Sequence, residues 1–173
     1  MDSDVFMENS SAPFKKTYTP SQARPKIEKF CAYQERSHLQ VKRKLERLGL
    51  HAIDADLLLV ELMQNNFLNE TRFAMAYARG KFNIKHWGRL KIKQGLKREG
   101  IGERLIQEAL ACLGLADYQK TLHALAQKKW PFIRAASHRE KVAKLQRFLL
   151  GKGYEYDAID CIVKEVISTT KIR

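Results

Sequence analysis

The densest set of chemistry-bearing side chains in this sequence is a basic run over residues 79–98. It contains eight Lys or Arg residues and no Asp or Glu in twenty positions. A solvated helix normally mixes the two signs, because opposite charges three or four positions apart attract each other. Like charges repel here, so an external polyanion would stabilise the run. We therefore predict that a nucleic acid or another polyanionic partner binds Arg79, Lys81, Lys85, Arg89, Lys91, Lys93, Lys97 and Arg98. A basic face that serves only solubility is the alternative interpretation.

Aromatic side chains in and near the basic run could add contacts to nucleobases. Tyr77, Phe82, Trp87 and Trp130 are candidates for stacking, which contributes about 1–3 kcal/mol per base in proteins that bind single strands. Trp87 is the strongest candidate because it lies inside the run, although aromatic residues at helical spacing fit a core equally well. His86 could contact phosphate as a titrating group, or it could be an exposed or partly packed side chain.

No pattern of residues in the sequence predicts catalysis. Neither Gly-Lys dipeptide has the preceding glycine and the following Ser or Thr of a phosphate-binding loop. Asp54 and Asp56 are two positions apart, about 200° around a helix, so they do not form a metal-binding pair. Three cysteines, at positions 31, 112 and 161, are too scattered for a zinc site or a disulfide framework. We expect a protein without enzyme activity, metal or cofactor.

Composition predicts a basic, globular protein. The 173 residues are 45% hydrophobic and carry a formal net charge of +13. No apolar run approaches the ~18 residues of a membrane span, and the N-terminus lacks the apolar segment of a secretory signal. We therefore expect a cytoplasmic monomer. The charge is uneven, because residues 67–115 and residues 116–173 carry +6 each, whereas residues 36–66 carry +1.

Apolar residues recur every three or four positions, which predicts an all-α fold. We expect a mobile tail over residues 1–24 and a first helix after Pro25. Ser37 and Asn69 are predicted helix caps, the first with Gln40 in a capping box. A helix over residues 85–99 is predicted to place Gly88 and Gly95 on a seam that a neighbouring helix approaches closely. For Gly95 the alternative is a position with no packing role.

A repeated motif divides the sequence into units of about 50 residues. The motif Leu-x3-Gly followed by an apolar residue occurs at Gly49, Gly100 and Gly153, at intervals of 51 and 53 residues. Apolar residues follow the second and third glycines at +6, +9 and +10, whereas the first unit fits two or three positions late, at Leu57, Leu59 and Leu62. Such a repeat predicts an elongated, curved tandem array of three three-helix units. The predicted units are residues 25–68, 69–115 and 116–173.

Two motifs give the sequence a family resemblance. Residues 67–74 read Phe-Leu-Asn-Glu-Thr-Arg-Phe-Ala, and they are followed by Gly88-x3-Ile92-x3-Leu96-x3-Gly100-Ile101. These motifs resemble those of the RecX proteins, bacterial modulators of the RecA recombinase, and the resemblance runs from about residue 32 to residue 167. The sequence departs from the family pattern at Asn69, where an acidic residue is more usual.

The resemblance implies a function that composition and periodicity alone do not. A RecX-like chain would lie in the groove of a RecA–DNA filament and inhibit its ATP hydrolysis, strand exchange and extension. Its partners would be the RecA recombinase, the RecA–DNA filament and single- or double-stranded DNA. The alternative is a sequence-independent helical DNA-binding module that acts without a protein partner.

Overall fold

The computed structural model describes residues 17–171, with side chains described through residue 168. Within this range the chain forms nine α-helices, one short 3-10 turn at Trp130–Phe132, and no strand. The helices are α1 (Pro20–Tyr33), α2 (His38–Arg47), α3 (Ala52–Gln64), α4 (Glu70–Lys85), α5 (Arg89–Arg98), α6 (Glu103–Ala111), α7 (Leu115–Lys129), α8 (His138–Lys152) and α9 (Tyr156–Lys171).

The helices pack in three consecutive groups of three. Within each group every helix contacts the other two, in the order α1–α3, α4–α6 and α7–α9. The predicted all-α array of three-helix units is therefore confirmed. Within the described part of the chain, no helix is long and apolar enough to cross a membrane.

The repeated glycines end the second helix of each unit. Gly49, Gly100 and Gly153 have φ angles of 81°, 79° and 90°, a left-handed conformation that glycine adopts without a steric penalty. In each case the next residue donates its backbone N–H to the leucine carbonyl five positions earlier, as in a Schellman motif. These bonds measure 3.3 Å for Leu50 to Leu45, 3.1 Å for Ile101 to Leu96, and 3.3 Å for Tyr154 to Leu149.

The offsets after the glycine also hold in the first unit, which corrects the sequence alignment. The residues at +6, +9 and +10 from Gly49 are Ala55 and Leu58, which are buried, and Leu59, which is partly buried. Leu57, which the sequence alignment placed in the repeat, is 62% exposed. The offsets are thus the same in all three units, and Leu57 lies on the exposed side of α3.

The hydrophobic core is divided unevenly among the three units. One cluster joins the second and third units from Phe73 to Val166, whereas the first unit has a separate cluster from Ala23 to Leu68. Polar contacts link the first unit to the second. Ser37, which is fully buried, donates from Oγ to Oε2 of Glu99 at 3.0 Å, and Glu35 pairs with Arg72 at 2.8 Å.

Two helix starts differ from the predictions. The first helix begins at Pro20, because the Thr19 side chain accepts a hydrogen bond from the Gln22 backbone, and Pro25 lies inside it. Residues 20–24 are therefore helical, and residues 1–16 of the predicted tail lie outside the described residues. The helix predicted from residue 85 begins at Arg89 instead, because His86 is left-handed with a φ of 52° and Gly88 is extended.

The predicted helix caps form, one of them in part. Ser37 Oγ accepts from the Gln40 backbone N–H at 3.1 Å, and the Asn69 side chain accepts from the Arg72 backbone at 2.9 Å. The reciprocal half of the Ser37 capping box is not made, since Gln40 Oε1 is buried without a hydrogen-bond partner among the described residues.

Backbone contacts join α5 of the second unit to the end of α8 in the third. The Gly88 N–H donates to the Lys152 carbonyl at 2.9 Å, and the Leu90 N–H donates to the Gly153 carbonyl at 3.0 Å. A Cβ atom on Gly88 would lie 2.2 Å from the Gly153 oxygen. The close approach predicted at Gly88 is confirmed, and its partner is the C-terminal end of α8.

Candidate basic interface

The eight predicted cations occupy the end of α4 and the whole of α5. The left-handed residue at position 86 ends α4, and the chain then turns through Trp87 into α5. The two helices contact each other. The cations of the run therefore lie on two neighbouring helices of the second unit.

Trp87 is partly buried between two of these lysines. The Nζ atoms of Lys81 and Lys91 lie 5.1 Å and 5.0 Å from the centre of its ring, and Lys81 also lies 5.0 Å from the Tyr77 ring. A cation this close to an aromatic face is attracted by the negative charge density of the ring. The contacts hold both ammonium groups beside the aromatic side chain.

The C-terminal ends of two helices bring a third lysine into this region. Lys152, in the last turn of α8, donates from Nζ to the Lys85 carbonyl at 3.4 Å, and Lys91 donates to the Gly151 carbonyl at 2.9 Å. Free carbonyls at a helix C-terminus carry partial negative charge, which stabilises nearby cations. The sequence analysis did not single out Lys152, because the Lys85 carbonyl that it contacts lies 67 residues earlier in the chain.

A shallow groove runs between α5 and the end of α8. Its floor and walls combine lysines with aliphatic and glycine residues. The lining residues are Leu90, Lys91, Lys93, Gln94, Lys97, Leu150, Gly151 and Gly153. An open, positively charged groove of this kind suits an extended polyanion.

Three of the eight cations are paired with carboxylates that lie outside their own helix. Lys93 and Lys97 both contact Glu103 at the start of α6, the latter with Nζ 3.2 Å from Oε2. Hydrogen bonds from Lys93, Gln107 and Lys97 lower the pKa of Glu103 to about 2. The run without carboxylates in the sequence is therefore partly neutralised by the fold.

The third paired cation, Arg89, belongs to a network that joins the second and third units. Its guanidinium lies 4.3 Å from the Tyr118 ring centre and 3.8 Å from Glu155 Oε1. The Tyr118 hydroxyl accepts from the Arg89 backbone N–H at 3.0 Å and donates to Glu155 Oε2 at 2.5 Å. Burial, together with the Glu155 carboxylate, raises the pKa of Tyr118 well above its usual value, so the hydroxyl stays protonated. This network positions the N-terminus of α5.

The other five cations have no carboxylate within ion-pair distance in the part of the chain that the structure describes. Arg79, Lys85 and Arg98 are exposed, whereas Lys81 and Lys91 are partly buried against Trp87. These side chains carry charge that the fold leaves available to a partner.

The candidate stacking residues differ in how far their side chains are buried. Phe82 and Trp130 are both 6% exposed and belong to the core shared by the second and third units, so the core interpretation is correct for them. Tyr77 packs against that core, and its hydroxyl occupies the space that a Cβ atom on Gly95 would need. Trp87 keeps a partly exposed ring, and the His86 side chain beside it is exposed.

Comparison with known proteins identifies the family to which the two basic units are similar. The model of the second three-helix domain of RecX matches residues 69–110, and that of the third matches residues 116–163. These two domains include all eight cations of the basic run and Lys152.

Individual relatives agree with these matches. Regulatory protein RecX of Clostridium perfringens strain 13 is 35% identical over 107 residues, covering 61% of this chain and 50% of the relative. The chain thus spans about half the length of that relative. Regulatory protein RecX of Chlorobium phaeobacteroides is 30% identical over 128 residues, covering 73% of this chain and 81% of the relative.

A solved structure shares the arrangement of the helices. The crystal structure of RecX from Lactobacillus salivarius matches with a TM-score of 0.76 and 27% identity, covering 85% of this chain and 96% of that one. The two matched domains, the relatives and this similarity agree with one another and with the tandem three-helix units. The chain belongs to the RecX family of regulatory proteins.

Proposed function

We propose that the chain binds the RecA recombinase and its DNA filament and inhibits ATP hydrolysis, strand exchange and filament extension. Membership of the RecX family is the observation that carries this proposal. The segments that contain the two matched domains, residues 67–115 and 116–173, each carry a net charge of +6. A basic surface built on these domains would contact phosphate in the filament groove.

A cation that has no carboxylate partner in the fold would contact phosphate more readily than a paired one. Arg79, Lys85 and Arg98 are exposed and have no ion-pair partner among the described residues, so they would meet phosphate without displacing a carboxylate. For Lys93 and Lys97, phosphate would first have to replace Glu103. We therefore assign the exposed cations to the first contacts with DNA and the paired ones to a contact that depends on this exchange.

A titration of ATPase activity tests the proposal. The chain is added to RecA on single-stranded DNA, and ATP hydrolysis is measured against the molar ratio of chain to RecA. A filament modulator suppresses hydrolysis at substoichiometric amounts. Suppression that appears only when the chain saturates the DNA would contradict the proposal and would support the DNA-binding module without a protein partner.

A matched pair of charge reversals tests the basic surface. Arg79→Glu with Lys85→Glu, and Lys29→Glu with Arg43→Glu, change the net charge equally, and all four side chains are exposed. Only the first pair is expected to weaken filament binding. For single-stranded DNA the log–log salt slope should become less negative by about 1.4, since each lost contact contributes about 0.7. Equal losses in both variants would mean that net charge alone, and not this surface, controls binding.

A further inference from the structure

The third unit contains a second basic segment, over residues 128–152. It holds eight Lys or Arg residues and a single carboxylate, Glu140, in 25 positions. Glu140 is already engaged, since it accepts from the Ala136 backbone N–H at 2.8 Å and lies 2.7 Å from Lys144 Nζ. The other seven cations have no carboxylate within ion-pair distance among the described residues. They are Lys128, Lys129, Arg134, Arg139, Lys141, Arg147 and Lys152.

Aromatic rings hold three of these lysines in place. Lys141 Nζ lies 4.5 Å from the centre of the Trp130 ring, and Lys129 Nζ lies 5.4 Å from the centre of the Phe148 ring. Lys152 Nζ lies 5.9 Å from the same Phe148 ring. All three lysines are partly buried, whereas lysines that serve only solubility are normally exposed to water. Their positions therefore need an explanation beyond solubility.

The three lysines form a continuous strip along α8. Lys141, Phe148 and Lys152 fall within about 40° of one another on a helical wheel, and a rise of 1.5 Å per residue separates the two lysines by about 16 Å along the helix. Lys129, from the last turn of α7, meets this line at the Phe148 ring. We call Lys129, Lys141 and Lys152 the α8 strip.

The α8 strip meets the basic surface of α4 and α5 at Lys152. The Lys152 Nζ donates to the Lys85 carbonyl at 3.4 Å, and Lys91 donates to the Gly151 carbonyl at 2.9 Å. The Gly88 N–H also donates to the Lys152 carbonyl, which keeps the start of α5 against the end of α8. A polyanion bound along α5 would therefore continue onto α8 without a break in positive charge.

We propose that the α8 strip is a second phosphate-binding surface, over which the backbone of a nucleic acid strand passes from the second unit to the third. The inference rests on the proposed function for its starting point, the contact of the α4 and α5 cations with phosphate. Partly buried ammonium groups without a carboxylate partner carry a desolvation cost. A nucleic acid strand offsets this cost, because it brings a negative charge with every phosphate.

Burial favours a nucleic acid over an acidic protein at the α8 strip. Stable protein interfaces have an apolar centre surrounded by polar groups. The rings of the strip offer no such centre, because Trp130 is 6% exposed and Phe148 is partly buried beside two ammonium groups. A sugar–phosphate backbone needs only a row of cations along its path. Contacts of this kind position the strand without reading its base sequence.

A double variant that removes charge tests the α8 strip. Lys129→Met with Lys141→Met removes two charges and keeps aliphatic side chains beside the rings, whereas Lys129→Arg with Lys141→Arg keeps the charges. Lys29→Met with Arg43→Met is the control, because it removes two charges from exposed positions of the first unit. Binding to single-stranded poly(dT) is measured by fluorescence titration across salt concentrations, and the melting temperatures of all the variants are compared.

The methionine variant of the α8 strip should bind poly(dT) more weakly than the wild-type chain. Its log–log salt slope should be less negative by about 1.4, since each lost phosphate contact contributes about 0.7. The arginine variant and the first-unit control should keep the wild-type slope. If the double variant does not fold, Lys129→Met and Lys141→Met should each shift the slope by about 0.7 when made singly. A wild-type slope in the methionine variants would overturn the inference and identify the strip as a solvated face.

A comparison with RecA separates the two classes of partner. A methionine variant that binds poly(dT) like the wild-type chain but binds DNA-free RecA more weakly would assign the α8 strip to an acidic protein surface, which overturns the inference.

The outcomes also distinguish this inference from the proposed function. A methionine variant that keeps the wild-type salt slope, from a chain that suppresses ATP hydrolysis by RecA, refutes the α8 strip alone. A wild-type chain without affinity for poly(dT) also refutes the α8 strip, whereas the ATPase titration still decides the proposed function.

Discussion

Replacing Gly88 with alanine tests the contact between the second and third units most directly. The backbone of Gly88 has a φ of −76° and a ψ of 168°, which alanine adopts without strain. The added Cβ would lie 2.2 Å from the Gly153 oxygen and 2.4 Å from the Tyr154 nitrogen. Both are backbone atoms, so no side chain can rotate away to make room. Therefore α5 and α8 must separate.

The expected cost of this separation follows from what joins the two helices. Overpacking of a close contact typically costs about 1–3 kcal/mol. Two backbone hydrogen bonds, of 2.9 Å and 3.0 Å, cross the contact, and each contributes about 1 kcal/mol. We therefore expect Gly88→Ala to lower the free energy of unfolding by about 3–5 kcal/mol.

Urea unfolding followed by far-UV circular dichroism measures this cost, with two other glycines as controls. A Cβ on Gly80, inside α4, meets nothing within 4 Å, so Gly80→Ala should raise the free energy of unfolding by up to about 1 kcal/mol. At Gly95 the Cβ would meet the hydroxyl end of Tyr77, which can move, so Gly95→Ala should cost less than Gly88→Ala. If Gly88→Ala changed stability by less than about 1 kcal/mol while Gly80→Ala behaved as expected, the close backbone contact would be refuted.

Three further substitutions test the polar contacts of the fold. Glu103→Gln frees two lysines, so binding to single-stranded DNA should tighten and its log–log salt slope should become more negative by up to about 1.4, measured by fluorescence titration across salt concentrations. The pKa of Glu103 is lowered from 4.5 to about 2, so the ionised carboxylate stabilises the fold above pH 4.5 and this contribution is lost as the pH falls towards 2. Glu103→Gln should therefore make the free energy of unfolding depend less on pH between these values. An unchanged pH dependence would contradict the pairing. Ser37→Ala removes a helix cap and a buried hydrogen-bond donor to a carboxylate, whereas Ser137→Ala removes an exposed cap alone. In urea unfolding, Ser37→Ala should therefore lower the free energy of unfolding by about 1–2 kcal/mol more than Ser137→Ala. Equal losses would show that this serine does not link the first unit to the second. Tyr118→Phe should lower the free energy of unfolding by about 1–2 kcal/mol, because it removes two hydrogen bonds. Tyr156→Phe is the control, because Tyr156 is 60% exposed and its loss should have no effect. Similar values for both variants would show that the Tyr118 network does not stabilise the contact between the second and third units.

Local features of the fold were predictable because neighbours in the sequence determine them. The repeated Leu-x3-Gly motif anticipates the three left-handed glycines, since a helix that ends on glycine satisfies its last carbonyls within the same few residues. The caps at Ser37 and Asn69 follow from the same local geometry. Missed boundaries also have local causes, because the Thr19 cap starts α1 before Pro25, and His86 adopts a left-handed conformation that its residue type does not require.

The candidate interface was predictable in composition but not in arrangement. Sequence alone identifies eight cations without an intervening carboxylate over residues 79–98, and this charge density is a property of the chain. Whether each cation is free depends on carboxylates that lie elsewhere in the sequence. Glu103 reaches Lys97 only because α6 packs beside α5, and Glu155 reaches Arg89 only because the end of α8 lies against the start of α5.

By itself the sequence determined an all-α chain of repeated units, its uneven charge, and its resemblance to the RecX family, because periodicity, local capping and composition do not depend on distant contacts. Tertiary structure alone decided which cations remain unpaired, that Lys152 joins the basic surface, and that Leu57 points away from the core. Those properties depend on distances between side chains that are far apart along the chain, and only the packing of the helices sets such distances.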